Sequence, residues 1–207
     1  MSPADATRQR LVRAALELFT AQGYHATTTP EIARKAGVAE GTIYRHFTSK
    51  QHLLNELYRA AARWATKLVA EADAAGATPR EKLGELGKSL VAGAAREPAV
   101  TRLFFLDRHG ALLDEESRKT ARDFRIALEG VVAQGKAAGA VKPGAAELWA
   151  AVWLTIATFA MERVTTREWA SDHGGIAQAF DAAWDAIAAQ PHPAPGGQAD
   201  GRSGEPA

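Results

Sequence analysis

The chain has 207 residues, 46% hydrophobic and 24% charged, and this length allows one large domain, or a small and a larger one, with a substantial core. Its 25 basic residues are nearly balanced by 24 acidic ones, which excludes a uniformly basic nucleic-acid-binding protein. The sequence contains no cysteine, which excludes a disulfide framework and a thiolate metal site.

Charge is distributed unevenly along the chain. Residues 1–60 contain eight basic and five acidic residues, whereas the remainder contains seventeen basic and nineteen acidic ones. We therefore expect any affinity for DNA to come from a local patch near the N-terminus. Arg13 and Glu17 interrupt the apolar stretch from Leu11 to Phe19, so neither a signal peptide nor a membrane segment is expected. The expectation is a soluble, cytoplasmic protein.

Two helices are predicted before residue 38. Apolar residues recur at helical spacing as far as the stop at Gly23: Leu11, Ala15, Leu18 and Phe19. Thr29 is a candidate N-cap for a second helix, with Pro30 at its first position and Glu31 in its first turn. Gly37 ends this helix.

The stretch from Thr27 to Leu54 has the spacing of a helix-turn-helix. Ala33, four residues before Gly37, is small enough for two helices to approach, and Gly37 can take a left-handed turn. Ile43, six residues after Gly37, can bury one side of the next helix. Basic and aromatic residues follow, so we predict a DNA-binding unit whose second helix is exposed.

The chain that follows is also predicted to be helical. Ser49 is expected to cap a long fourth helix ending near Gly76, and Thr78 with Glu81 forms a capping box for a fifth. Three glycines inside the fifth helix cost about 1 kcal/mol each relative to alanine. Close packing or mobility must account for them: Gly84, Gly87 and Gly93.

After an apolar segment from Val100 to Leu106, three more helices are predicted. The first runs from Asp114 to Gly139, the next begins at Pro143 with apolar residues on several sides, and the last runs roughly over residues 175–189. The composition of residues 191–207 is too poor in apolar side chains for an ordered structure, which predicts a disordered tail.

The predicted fold class is therefore all-α. Residues 1–50 are predicted to form a three-helix helix-turn-helix DNA-binding domain, and residues 51–190 a larger helical domain.

Residues 37–54, GVAEGTIYRHFTSKQHLL, resemble the signature of the TetR-type transcriptional regulators, in which an apolar residue, a Gly-Thr pair, Tyr, Phe and a Ser-Lys step recur in this order. The resemblance covers about Arg10 to Leu54 at motif level, and beyond it only the helical layout agrees. It implies a homodimer that binds an operator through one recognition helix per subunit, with repression as the usual mode. It also implies that the larger domain, residues 51–190, receives a small-molecule effector and mediates dimerisation.

The resemblance assigns DNA contacts to two groups of residues. The first faces the major groove: Ala39, Glu40, Gly41, Thr42 and Arg45. The second meets the phosphate backbone: Thr28, Thr29, Tyr44, His46 and Lys50. Val38, Ile43 and Phe47 are expected inside.

Several of these residues could instead have a purely structural role or none. Thr29 could serve only as a cap, Tyr44 or His46 could pack against neighbouring helices, and Arg8 and Arg10 on the first helix could contact phosphates or be merely solvated. Ala39 and Glu40 depart from the family pattern, where a capping Ser and a neutral or basic residue are more usual. Losing the cap costs on the order of 1 kcal/mol, and both departures leave the operator sequence open.

For the second domain, we predict that a largely apolar small molecule enters between the fifth to eighth helices. Candidate effector contacts lie on segments that the family packs around its cavity: Leu103, Phe104, Phe105, Arg108, His109, Trp149, Trp153, Phe159 and Glu162. Most of these aromatic residues are expected in the core, and His109 could simply be a loop residue. Apolar stripes on the last two helices suit a dimer interface, although burial within the chain could use some of them: Val152, Ile156, Phe180, Ala183, Trp184 and Ile187.

An enzyme is not expected, because the sequence has no P-loop, GxSxG or HExxH motif and no cysteine nucleophile. No cofactor is predicted, and no metal site either, since the six histidines form no HxxxH or HxH pair. The competing hypothesis is a helical protein-interaction scaffold without specific DNA binding. The identity of the operator, the effector and the regulated genes stays open.

Overall fold

A computed structural model describes residues 2–189 of the chain, so the tail predicted at 191–207 lies outside the described residues. The helices are α1 (Pro3–Gln22), α2 (Thr29–Ala36), α3 (Ile43–His46), α4 (Lys50–Ala75), α5 (Pro79–Arg96), α6 (Pro98–Thr101), α7 (Glu115–Ala137), α8 (Ala146–Thr165) and α9 (Gly174–Ile187). One turn of 3₁₀-helix, Glu40–Thr42, leads into α3, and a π-helical turn, Arg102–Leu106, follows α6. The predicted all-α class is confirmed.

The N-terminal unit, α1 to α3 with the first turns of α4, encloses its own core. Gly37 takes the left-handed conformation predicted for the turn, with φ 66° and ψ 41°. Its amide and that of Val38 bond back to carbonyls of α2, which closes the helix end. The core contains these buried residues: Leu11, Ala15, Phe19, Ile32, Ile43, Phe47, Leu53, Leu54, Leu57 and Leu103. We call this unit the reader.

The remaining helices form a second core, and we call this part of the chain the second domain. The helix α4 belongs to both cores, because Leu53 to Leu57 lie in the reader core and Ala65 to Ala72 lie in the second. Leu103, from the π-helical turn, also packs into the reader core. The division at residue 50 predicted from the sequence therefore does not correspond to a break between two independent cores.

The start of one helix differs from the prediction. The helix expected at Pro143 begins at Ala146. Residues before it run along the end of α9 instead, where the amide of Lys142 donates to the carbonyl of Ile187 at 2.9 Å. Gly144 then has φ 119°, outside the helical region, and α8 begins after it.

Candidate nucleic-acid interface

The recognition helix, Glu40–His46, lies on the surface of the reader. Ile43 faces inward and is 1% exposed, whereas Glu40, Gly41 and Arg45 are exposed and Thr42 is half-buried. Ala39 precedes the helix in an extended conformation and supplies no side-chain cap. The buried Ile43 thus turns the polar side of this short helix toward solvent.

Thr28, not Thr29, caps α2, which corrects the position of the cap. The Thr28 hydroxyl accepts from the amide of Glu31, and the Glu31 carboxylate accepts from the amide of Thr28 at 2.8 Å. That bond from the Thr28 backbone lowers the pKa of Glu31. The prediction failed by one residue because proline fits either of the first two positions of a helix.

Because Thr28 rather than Thr29 caps the helix, the Thr29 hydroxyl is available at the surface. It lies 3.1 Å from the phenolic oxygen of Tyr44. Tyr44 itself is 56% exposed, so it is not packed beneath a neighbouring helix. His46 is half-buried, with its ring centroid 6.4 Å from that of the buried Phe47. Two residues expected to meet the DNA backbone, Thr29 and Tyr44, thus form a hydrogen-bonded pair between α2 and the recognition helix.

Lys50 begins α4 after the cap Ser49 and points toward the turn that precedes α2. Its ammonium group donates to the carbonyls of Thr27 at 2.7 Å and Tyr24 at 2.9 Å, and it lies 4.2 Å from the centre of the Tyr24 ring. An ammonium has three donors, so one remains after these two bonds. Lys50 therefore fixes the turn before α2 and keeps one donor for another acceptor.

A surface depression of about 360 Å³ lies where these elements meet. It is bordered by His25, Thr27, Thr28, Thr29, Tyr44, Thr48, Ser49 and Lys50. The N-termini of α2 and α4 both open toward it, and helix N-termini favour anions through their free amides and dipoles. His25, Thr27, Thr48 and Ser49 were not predicted as site residues. The sequence signal for the last two was their place just before Lys50 at the start of a capped helix.

Arg8 and Arg10, for which phosphate contact and simple solvation were both considered, have different surroundings. Arg8 lies 2.5 Å from a Glu56 carboxylate oxygen, and its guanidinium lies 5.1 Å from the centre of the Phe47 ring. Arg10 is exposed, near the turn at Gly37. Arg8 therefore has a structural role within the chain.

The nine predicted effector contacts do not line one cavity. Phe104 and Phe105 pack edge-to-face with each other and with Phe124, and Trp153 is 1% exposed and stacked against Phe180. Trp149 bonds to the carbonyl of Pro143 at 3.1 Å. These aromatic side chains are used in packing, which was the alternative considered for them.

Two polar members of that set, Arg108 and His109, border the same surface depression, whereas Glu162 lies on α8. Arg108 and Glu162 are exposed. Phe159 lies in the second half of α8, is 43% exposed, and packs against Trp169, which follows that helix. His109 is buried, which lowers its pKa, because its charged form would be poorly solvated.

A larger groove than the depression beside Lys50 lies elsewhere, between the reader and the second domain. It encloses about 510 Å³ and is lined by Val12, Leu16, Leu57, Ala60, Ala61, Trp64, Gly93, Arg96, Glu97, Val100 and Leu103. Of the predicted effector contacts, only Leu103 borders it. We call it the junction groove. The sequence could not indicate it, because α1, α4, α5 and the turn after α6 each contribute residues.

The predicted dimer residues divide between the protein core and its surface. Ala183 and Ile187 are fully buried in the core of their own chain, and Phe180 packs against Gly87 of α5. Trp184 packs against the same core, and both Phe180 and Trp184 stay half-buried, with part of each side chain exposed. Val152 and Ile156 on α8 are half-buried. Two further apolar residues on α8 are well exposed, Leu148 at 53% and Phe159 at 43%.

Two other findings bear on function. Among residues 2–189, no cluster of three or more acidic, histidine or cysteine side chains is arranged to hold a metal ion. Over the same residues, no helix combines the length and apolarity needed to cross a bilayer.

Comparison with known proteins agrees with this architecture. Residues 11–57 match the sequence family described as bacterial regulatory proteins, tetR family. The fatty acid metabolism regulator protein of Bacillus subtilis (strain 168) is 30% identical over 138 residues, which cover 65% of this chain and 71% of that protein.

Solved structures share the fold over most of the chain. A TetR family transcription regulator from Marinobacter aquaeolei VT8 has a TM-score of 0.78 at 23% identity, covering 90% of this chain and 97% of the other. FadR from Bacillus subtilis, in complex with stearoyl-CoA, has a TM-score of 0.71 at 21% identity, covering 87% and 99%. The chain therefore belongs to the TetR family and is a transcriptional regulator rather than an enzyme.

Proposed function

We propose that the protein is a repressor that binds a palindromic operator as a homodimer. The observation that carries this proposal is the exposed recognition helix beside a depression where two helix N-termini and Lys50 converge. In this arrangement Glu40, Thr42 and Arg45 meet base edges. Thr28, Thr29, Tyr44 and the remaining donor of Lys50 meet phosphates. Ala39, Gly41 and His46 flank these contacts, and the site of action is the cytoplasm, where the DNA is.

The dimer follows from the shortness of the recognition helix. One helix of this length reads only a few base pairs, and two copies about one helical turn of DNA apart double the readout. We assign the interface to the apolar face of α8, formed by Leu148, Val152, Ile156 and Phe159. Paired across a two-fold axis, two such faces bury one another.

The dimer assignment can be tested with a matched pair of substitutions. Leu148→Glu places a charge on the α8 face, and we expect it to give a monomer in light scattering with operator affinity reduced at least about a hundredfold. Ile126→Glu is the control, because Ile126 is 62% exposed on α7, away from that face. A dimeric Leu148→Glu variant would place the interface elsewhere.

The operator is tested by selection from genomic fragments with the ligand-free protein. We expect an inverted repeat whose half-sites are centred about one helical turn apart or slightly more. If only sequence-indifferent fragments were recovered, the operator proposal would fail and the scaffold hypothesis would replace it.

We further propose that a largely apolar small molecule with one polar end releases the operator. Two facts support this class of effector: the name of the Bacillus subtilis relative refers to fatty acid metabolism, and the related FadR structure holds stearoyl-CoA. The ligand lowers operator affinity only by the difference between its affinities for the two conformations of the protein. A ligand that binds tightly but leaves operator affinity unchanged would contradict this mechanism.

A further inference from the structure

The junction groove has the size and lining of a small-molecule site. Its volume of about 510 Å³ lies within the roughly 300–1,000 Å³ over which protein pockets take small ligands. The walls are apolar: Val12 and Leu16 come from α1, Leu57 and Trp64 from α4, and Val100 and Leu103 from the segment after α5. Such a surface favours a hydrocarbon.

Charge is confined to one part of the rim. Arg96 ends α5 and Glu97 follows it, and both side chains are exposed where they border the groove. Neither takes part in an ion pair among residues 2–189. A guanidinium binds a carboxylate through two parallel hydrogen bonds, whereas the neighbouring Glu97 repels one. Recognition of an anionic end by Arg96 is thus opposed, but not blocked, by Glu97.

We propose that the junction groove binds a hydrocarbon carrying a terminal carboxylate, with its chain between α1 and α4 and its carboxylate against Arg96. This inference rests on the proposed function in one respect, that a small molecule controls operator binding. It places the controlling molecule between the two domains, away from the packed aromatic residues of the second domain.

The position of the groove supplies a route to the DNA-binding surface. Val12 and Leu16 border the groove, while Leu11, Ala15 and Phe19 of the same helix pack in the reader core against α2 and the recognition helix. A molecule that shifts α1 relative to α5 therefore moves the reader as a body. In a dimer such a shift changes the separation of the two recognition helices and weakens operator binding.

The groove can be closed with one substitution. Ala60 is exposed on α4 and borders the groove, so Ala60→Phe fills part of it without entering a core. The matched control is Ala70→Phe, at an exposed position of the same helix that does not border the groove. Circular dichroism and thermal melting verify that both variants fold.

The head group is tested with decanoate, 1-decanol and decylamine in isothermal titration calorimetry with the full-length protein. We expect decanoate to bind most tightly. Arg96→Gln should weaken decanoate roughly tenfold and leave decanol unchanged, and Glu97→Gln should strengthen decanoate. Ala60→Phe should abolish binding, and Ala70→Phe should not.

Two results would overturn the inference: equal affinity for the acid and the alcohol with no effect of Arg96→Gln, or unchanged decanoate binding by Ala60→Phe. Coupling between the groove and the operator site is measured separately: decanoate should lower the operator affinity of wild type but not that of Ala60→Phe. Decanoate bound in the groove with operator affinity unchanged would overturn the coupling. Failure to bind any operator without ligand is a failure of the proposed function and leaves the calorimetric result standing.

Discussion

The guanidinium of Arg59 lies 3.0 Å from a carboxylate oxygen of Asp114, the residue that caps α7. Arg59 also donates to Glu56 at 2.9 Å, and Glu56 in turn contacts Arg8 of α1 at 2.5 Å. Asn55, beside them on α4, accepts from the Asp114 amide at 2.8 Å. One chain of polar contacts thus joins the reader to the start of α7 through α4.

This relationship predicts unequal effects for two substitutions of Asp114. Asp114 is 46% exposed at its side chain, so solvent screening limits the ion pair to about 1 kcal/mol. Asp114→Asn keeps an acceptor for the cap and should cost about 1 kcal/mol, whereas Asp114→Ala loses the cap as well and should cost about 2 kcal/mol. Urea unfolding measures both. Equal losses would show that the cap contributes nothing.

The same network predicts loss of stability in acid. Burial raises the pKa of Glu56, but the hydrogen bond from Arg59 and the charges of Arg59 and Arg8 outweigh burial, and the net pKa is lowered. Burial also raises the pKa of Asp114, yet hydrogen bonds from Ser117 and Arg59 lower it overall.

A carboxyl whose pKa is lower in the folded state stabilises the protein above its unfolded pKa and loses that contribution as the pH falls through the folded value. We therefore expect the free energy of unfolding to fall below about pH 5. For the Glu56→Gln variant, the free energy of unfolding should fall less steeply with decreasing pH than for wild type over the same range. Parallel curves for the two proteins would exclude Glu56 as a contributor.

Two glycines of α5 predict opposite outcomes for the same change. A Cβ at Gly87 would lie 2.6 Å from the Phe180 ring, whereas nothing lies within 4 Å of a Cβ at Gly84. Gly84→Ala should stabilise by about 0.5–1 kcal/mol through helix propensity. Gly87→Ala should destabilise by about 1–3 kcal/mol because the Phe180 ring must move. Thermal unfolding compares them, and stabilisation by both would contradict the close packing of α5 and α9.

Glu40 predicts a change in sequence preference. A carboxylate at the start of the recognition helix is favoured by the helix dipole, but it can also accept from the N4 amino group of cytosine, which gives about 1–3 kcal/mol of discrimination. Glu40→Gln should then relax preference at one symmetric pair of operator positions. Glu40→Lys should strengthen binding to random DNA and steepen its salt dependence. An unchanged preference for Glu40→Gln on an operator library would leave only the dipole role.

Local signals in the sequence predicted the helices well. Thr78, Ser49 and Asp114 are the caps in the structure, because a cap depends on the chemistry of a few consecutive residues. The turn at Gly37 was predictable for the same reason. The start of α8 was not, since the helix begins only after Gly144, whose φ of 119° lies outside the helical region.

The groups that face partners were harder to predict. An apolar stripe shows that a helix face is buried, but it does not distinguish a neighbouring helix from a second subunit or a ligand. Ile187 and Trp153 therefore matched an interface and a cavity in sequence, and both are buried in the chain's own core. The junction groove combines Val12, Leu57 and Val100, which no local pattern connects.

The most direct test of the central claim is the affinity and base preference of operator binding by Arg45→Gln and Lys67→Gln. Arg45 is exposed on the recognition helix, and Lys67 is exposed on α4, where it pairs with Glu71. Each variant loses one positive charge, so their net charges are equal. If the recognition helix binds DNA, Arg45→Gln should weaken operator binding by about 1–3 kcal/mol and relax base preference, while Lys67→Gln should match wild type. Equal affinity and equal base preference for the two variants would contradict the claim that the recognition helix binds the operator.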